Sequence, residues 1–195
     1  MTAALDATLV STLWPARPSA RLAREAALVV VGSLALAVSA KIQVPFYPVP
    51  MTLQTLAVLV LAAAYGARLG AAAVALYLVE GLLGAPVFAG AIAGPAYMMG
   101  PTGGYLAGFL AAAALTGFLA ERGWDRSWPR LLAAMAIGHA VIFAFGYAWL
   151  ARLIGPDKAF ALGVAPFALA TLVKTLLAVA LVGGAWGAVA GARRA

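Results

Sequence analysis

Lys174, Glu80 and His139 are the residues on which any chemistry in this chain would have to rest. Each lies within, or near the end of, a long apolar run. A charge in the bilayer interior costs roughly 2.5–3.5 kcal/mol on insertion scales, so it is normally paired or faces a polar cavity. Lys174 stands a turn or two into the last apolar run and Glu80 near the end of the third. Two readings follow. Either the two form a structural ion pair, or Lys174 snorkels to the interface; or Lys174 anchors an anionic group inside a small solute cavity. His139 is the single histidine and sits in mid-run, where an interhelical hydrogen bond is expected rather than a metal. The absence of cysteine excludes disulfides, thiolate nucleophiles and Cys-based metal sites. No HExxH, GxSxG or GxxxxGK[ST] pattern occurs; Lys174-Thr175 matches the tail of the last one, without its glycines. Neither an enzyme, nor a resident cofactor, nor ATP hydrolysis by the chain itself is expected.

The elements that carry these residues follow from composition. The chain has 195 residues, 65% hydrophobic and 10% charged. A soluble domain carries about 25% charged residues, so this is an integral membrane protein. Long Ala/Leu/Val runs favour helices over the alternating strands of a barrel. The fold class is therefore an all-α integral membrane protein. The apolar runs are Glu25–Ala40, one from Met51 to Tyr65, one from Ala71 to Leu83, one from Gly103 to Ala120, Leu131–Ala151, and one from about Leu162 or Pro166 to before Arg193. They give six transmembrane helices in a membrane domain at 25–192, between an N-terminal cytoplasmic segment at 1–24 and a basic tail at 193–195. A break at "GARLG" separates the second run from the third; without it, residues 53–83 form one tilted helix and the count is five.

Charge decides between the two counts. With six spans, Arg17, Arg21, Arg24, Arg68, Arg122, Arg126, Arg130, Arg193 and Arg194 share one side, and Lys41, Arg152 and Lys158 lie opposite. That bias places both termini in the cytoplasm. It also explains the net charge of +7 without nucleic acid, for which no long basic face exists. Arg21 and Arg24 before an apolar run ending "VSA" imitate a cleavable signal. Removal would destroy the even-span sorting, so retention is expected.

Two connections on the outer side are long, nearly uncharged and rich in Pro, Gly and aromatic residues: "KIQVPFYPVPMT" and the stretch from Leu83 to Gly103. Such loops can fold over a cavity, with Phe46, Tyr47, Phe88, Tyr97 and Tyr105 supplying flat contacts, and glycines such as Gly103 permitting close backbone approach. Aromatics at a membrane interface also serve as belt residues.

The segments "VPFYPVPMTLQTLAVLVLAAAYGARLGA", "LYLVEGLLGAPVFAG", "GPTGGYLAGFLAA" and "PFALATLVKTLLA" occur in this order. Together they resemble the BioY family, the biotin-binding S component of energy-coupling-factor (ECF) transporters, over roughly residues 26–185. The resemblance implies a six-helix capture protein in the bacterial inner membrane. It would take biotin from outside and work with a transmembrane coupling protein and ABC-type ATPases. Pro166, Phe167 and Lys174 match the family's last-helix pattern, whereas its Gly-Asp is Ala170-Thr171 here. Thr171 can still donate and accept, without charge. For biotin, Lys174 would meet the carboxylate, and Gln43, Gln54, Glu80, Thr171 and loop backbone the ureido edge. On the first helix, Ser33 with Ala37 and Ala35 with Ser39 have the small-residue spacing that permits close helix approach, either inside the fold or on the coupling protein. The departure at Thr171 keeps a capture protein for another vitamin in view. A non-transporting membrane scaffold is the alternative of a different class.

Overall fold

The computed structural model describes residues 8–15 and 17–192. Its elements in chain order are α1 (Leu9–Leu13), α2 (Arg21–Lys41), a hairpin of β1 (Gln43–Val44) and β2 (Met51–Thr52), α3 (Gln54–Tyr65), α4 (Ala67–Leu82), α5 (Pro95–Met98), α6 (Gly103–Glu121), α7 (Trp128–Ile154), α8 (Pro156–Gly163) and α9 (Ala168–Ala192). Short 3-10 turns at Pro18–Ala20, Trp124–Arg126 and Ala165–Phe167 lead into α2, α7 and α9.

Proline and glycine set most of the boundaries. Pro45, Pro48 and Pro50 cannot extend α2, because each lacks a backbone donor. The chain turns back instead, pairing Gln43 with Thr52 and Val44 with Met51. α3 and α4 are separate helices, and they part at Gly66 rather than at Arg68. Gly66 has φ 85°, a left-handed conformation that favours glycine. Its N–H still closes the last turn of α3 on the Ala62 carbonyl at 2.9 Å. Glu121, at the end of α6, accepts the Ala67 N–H at 2.9 Å and so satisfies one of the orphan donors that begin α4. A side chain at position 66 would collide with Glu121 and Thr8.

Among the described residues, four helices, α2, α6, α7 and α9, are long and apolar enough to cross a membrane. α3 and α4 have 12 and 16 residues and are shorter than the usual span of about 20. α2 begins at Arg21, before the expected Glu25. α7 starts at Trp128, with Pro129 accommodated in its first turn. α8 lies where a polar break was expected, set off from α7 by Gly155 at φ 86°. The basic tail at 193–195 lies outside the described residues, as does the start of the N-terminal segment; α1 and its buried Leu9 belong to that segment.

α3 sits at the centre, against α2, α4, α6, α7 and α9; α6 runs along α7, and α2 along α4. Leu36, Val58, Leu59, Ala62, Tyr77, Ala112, Met135 and Ile142 are fully buried among them. The outer surface is apolar as well. Leu169, Leu172, Val173, Leu176 and Leu181 on α9, and Val30, Val31, Leu34 and Val38 on α2, are exposed. An apolar belt on a packed bundle is what lipid as solvent requires. At the end away from the hairpin, buried Asp125 accepts the Trp186 indole N–H at 2.6 Å, and the Arg126 guanidinium lies 4.6 Å from the same ring's centroid. Burial pushes the Asp125 carboxyl up from its usual range. These contacts fasten the 122–127 turn to α9.

Candidate functional site

The hairpin and the 83–102 connection close over a hollow between α3, α6, α7 and α9. Its empty volume, open mouth included, is about 530 Å³. Thr52, Gln54, Tyr97, Tyr105, Leu106, Phe109, Phe143, Phe167, Thr171 and Lys174 are among its lining residues.

Lys174 is half-buried near the start of α9, and its Nζ donates to the Thr52 carbonyl at 2.6 Å. It is not paired with Glu80. That carboxylate instead accepts the Ser33 hydroxyl, tying α4 to α2 away from the hollow. Thr171 lies three positions before Lys174, which puts both on one helix face, and both line the hollow. The Thr171 carbonyl accepts the Thr175 hydroxyl at 2.8 Å.

Gln54 opens α3 and is buried. Its Nε2 donates to the Tyr77 hydroxyl at 2.6 Å, and its Oε1 accepts from Thr52 Oγ1 at 3.3 Å. Tyr77 meets Phe88 edge-on at 5.5 Å, and Phe88 stacks on Tyr97 at 4.8 Å. Phe88 is fully buried and lies behind the wall that Tyr97 presents. Burial lifts the Tyr97 phenol above its usual range, and its hydroxyl is hydrogen-bonded with the Thr102 side chain and the Ala89 backbone. Tyr105 packs its ring on Gly146 and donates its hydroxyl to the Gly163 carbonyl at 2.7 Å, joining α6 to α8.

Gln43 and Phe46 lie higher, in a cleft of about 860 Å³, mouth included, that shares Pro50, Ala89, Tyr97 and Thr102 with the hollow. Phe46 reaches the Phe167 ring at 6.1 Å. Tyr47 is 89% exposed and lines neither space. Gly103 faces a different groove between α6 and α7, beside Gly104 and Trp149. Ser33 and Ser39 are buried and hydrogen-bonded within the chain, Ser33 to Glu80 and Ser39 to the Leu36 carbonyl at 2.8 Å. The small-residue spacing therefore serves internal packing at those two positions, while Ala35 and Ala37 are half-buried. His139 is held between α7 and α9, its Nδ1 3.1 Å from the Met135 carbonyl and 3.0 Å from Thr175 Oγ1.

Sequence reasoning left Phe143 out of the site and used Phe167 only for the family pattern. Phe143 lies 6.0 Å from Tyr105 and 5.9 Å from Phe167, completing the aromatic wall. The Pro-Phe pair before α9 was a usable signal for Phe167. Phe143 had none, because it lies among the apolar residues of "VIFAFGY".

The lining combines flat aromatic walls, neutral hydrogen-bonding groups and one ammonium at the α9 side. Its chemistry suits a small, largely apolar molecule with an anionic end, as in a membrane-embedded solute-binding protein.

The BioY family model matches residues 7–191. The chain belongs to the BioY family. Among its relatives, the "Probable biotin transporter BioY" of Pyrococcus horikoshii is 40% identical over 157 residues, covering 80% of this chain and 93% of the relative. The "Biotin transporter BioY" of Thermotoga maritima is 39% identical over 153 residues, covering 78% and 85%. A crystal structure of the S-component for biotin from an ECF-type ABC transporter superposes with a TM-score of 0.75 at 24% identity, covering 86% of this chain and 93% of that one. The chain thus shares the S-component fold.

Proposed function

We propose that this protein captures biotin and carries it across the cytoplasmic membrane, unchanged, as the substrate-binding component of an ECF-type transporter. The observation that carries this reading is the Lys174 ammonium in the lining of an aromatic hollow closed by two loops. Biotin pairs an apolar bicycle with a carboxylate tail, and a charge-assisted bond to that carboxylate is the strongest single contact available. Thr171, Gln54 and Tyr97 supply neutral partners for the ureido edge. Phe143, Phe167 and Tyr105 supply the flat surface, and Gln43 and Phe46 line the way in. Glu80 is assigned to the α2–α4 contact rather than to the ligand.

Six spans, with α3 and α4 as short members, put both termini in the cytoplasm and the hairpin outside. The energising partners are a transmembrane coupling protein and ABC-type ATPase subunits. The lipid-facing side of α2, with Ala35 and Ala37 beside Val30, Leu34 and Val38, is the docking surface assigned to the coupling protein. Cells lacking their own biotin transport and expressing this chain with an energising module should accumulate radiolabelled biotin, recovered unmodified. Accumulation no higher than in cells without the chain, or a modified product, would refute the proposal.

A further inference from the structure

We infer that Lys41 is a positioning residue that latches the 83–102 connection over the hollow and sets how long the ligand stays; the ligand part of this inference rests on the function proposed above. Lys41 ends α2, none of whose residues lines the hollow. Its Nζ donates to the carbonyls of Phe88 at 2.7 Å and Gly90 at 2.9 Å, spanning from α2 to the middle of the connection. Few other backbone ties reach that middle. Ala85 N–H to Glu80 (3.0 Å) and Gly94 N–H to Gly81 (2.7 Å) hold its two flanks to the end of α4. Residues 83–94 form no helix, and Gly84, Gly90 and Gly94 all have positive φ with open space around them. Such a segment is held by the buried Phe88 ring and by its few polar ties rather than by regular secondary structure.

One of the two carbonyls that Lys41 grips belongs to the residue on which the wall depends, and the other lies two residues further on. Phe88 is fully buried, and Tyr97, which faces the hollow, stacks on it. Fixing the backbone at 88–90 therefore fixes Tyr97, through the Phe88 ring contact and through the hydrogen bond between the Ala89 backbone and the Tyr97 hydroxyl. An ammonium donor to a carbonyl is a charge-assisted bond, stronger than a neutral one. Gly90 also lines the outer cleft, so the same cation could instead act at long range, steering an anionic ligand inward.

The full chain in lipid nanodiscs separates these roles. Lys41→Met removes the donors and keeps the stem, and Lys41→Arg keeps charge and donors. Without ligand, Lys41→Met should raise amide exchange across residues 86–98 and leave α6 and α7 unchanged. With biotin, dissociation should accelerate roughly tenfold, the scale of one lost charge-assisted bond. Association should stay within about threefold of wild type. Lys41→Arg should restore both readings. Unchanged exchange and dissociation, with association that slows and loses its salt dependence, would make Lys41 a steering cation and overturn the latch. A rise in exchange spread over α6 and α7 would also overturn it, since Lys41 would then support the whole fold. A wild type that binds no biotin would refute the proposed function, and the exchange experiment would still judge the latch.

Discussion

Lys174 and Glu80 gave the same sequence signal, an ionisable group in an apolar run, and the fold uses them differently. Lys174 lines the hollow, whereas the Glu80 carboxylate is taken up by Ser33, 47 positions earlier in the chain. Pattern identified the charged residue in each case. Only the packing of α2 on α4 identified the partner, because no local spacing links two residues so far apart. The same reasoning applies to Thr171, where the resemblance alone drew attention to an uncharged side chain. Thr171 lines the hollow one turn from Lys174, so Thr171→Asp would add a charged acceptor beside the ligand's ureido donors. Biotin should then bind more tightly, by about tenfold, in line with a hydrogen bond gained to a charged group. Equilibrium titration of the purified variant checks this; weaker binding would mean that the new carboxylate pairs with Lys174 and excludes the ligand.

Helix ends were legible because proline and glycine act on the backbone locally. The hairpin follows from Pro45, Pro48 and Pro50, and the α3–α4 division was placed within two residues of Gly66. α8 was hidden because "RLIGPDK" is polar in composition, yet Pro156 fits a helix's first turn after the positive-φ Gly155. The 83–102 connection was recognised as a cover but not as a stacked one. Its order depends on Phe88 seating against Gly81, where any side chain would strike the phenyl ring. Gly81→Ala should therefore displace Phe88 and, through it, Tyr97. Overpacking of this kind costs roughly 1–3 kcal/mol. Biotin affinity should fall more than tenfold and the melting temperature of the ligand-free bundle by roughly 2–10 °C, as measured by titration and by thermal unfolding in detergent. Wild-type affinity would show that the Phe88–Tyr97 stack does not shape the site.

At the scale of the molecule, the all-helical membrane class was readable from 10% charge and long apolar runs. The packing order was not, because α3 and α6 are apolar on nearly every face and carry no directional pattern. The proposed six-span arrangement makes a prediction that the cysteine-free sequence renders simple to check. In intact cells, a membrane-impermeant thiol reagent should label Ala91→Cys in the outer connection and leave Ser127→Cys unlabelled until the membrane is opened. Labelling of Ser127→Cys from outside would reverse the assigned orientation. The central claim is that the hollow binds biotin through Lys174. Its most direct test is equilibrium binding of biotin to the purified chain, wild type beside Lys174→Ala. The account predicts saturable wild-type binding that weakens at least tenfold in the variant, the scale of one lost charge-assisted contact. A folded wild type that binds no biotin, or a variant that binds as tightly as wild type, would contradict it.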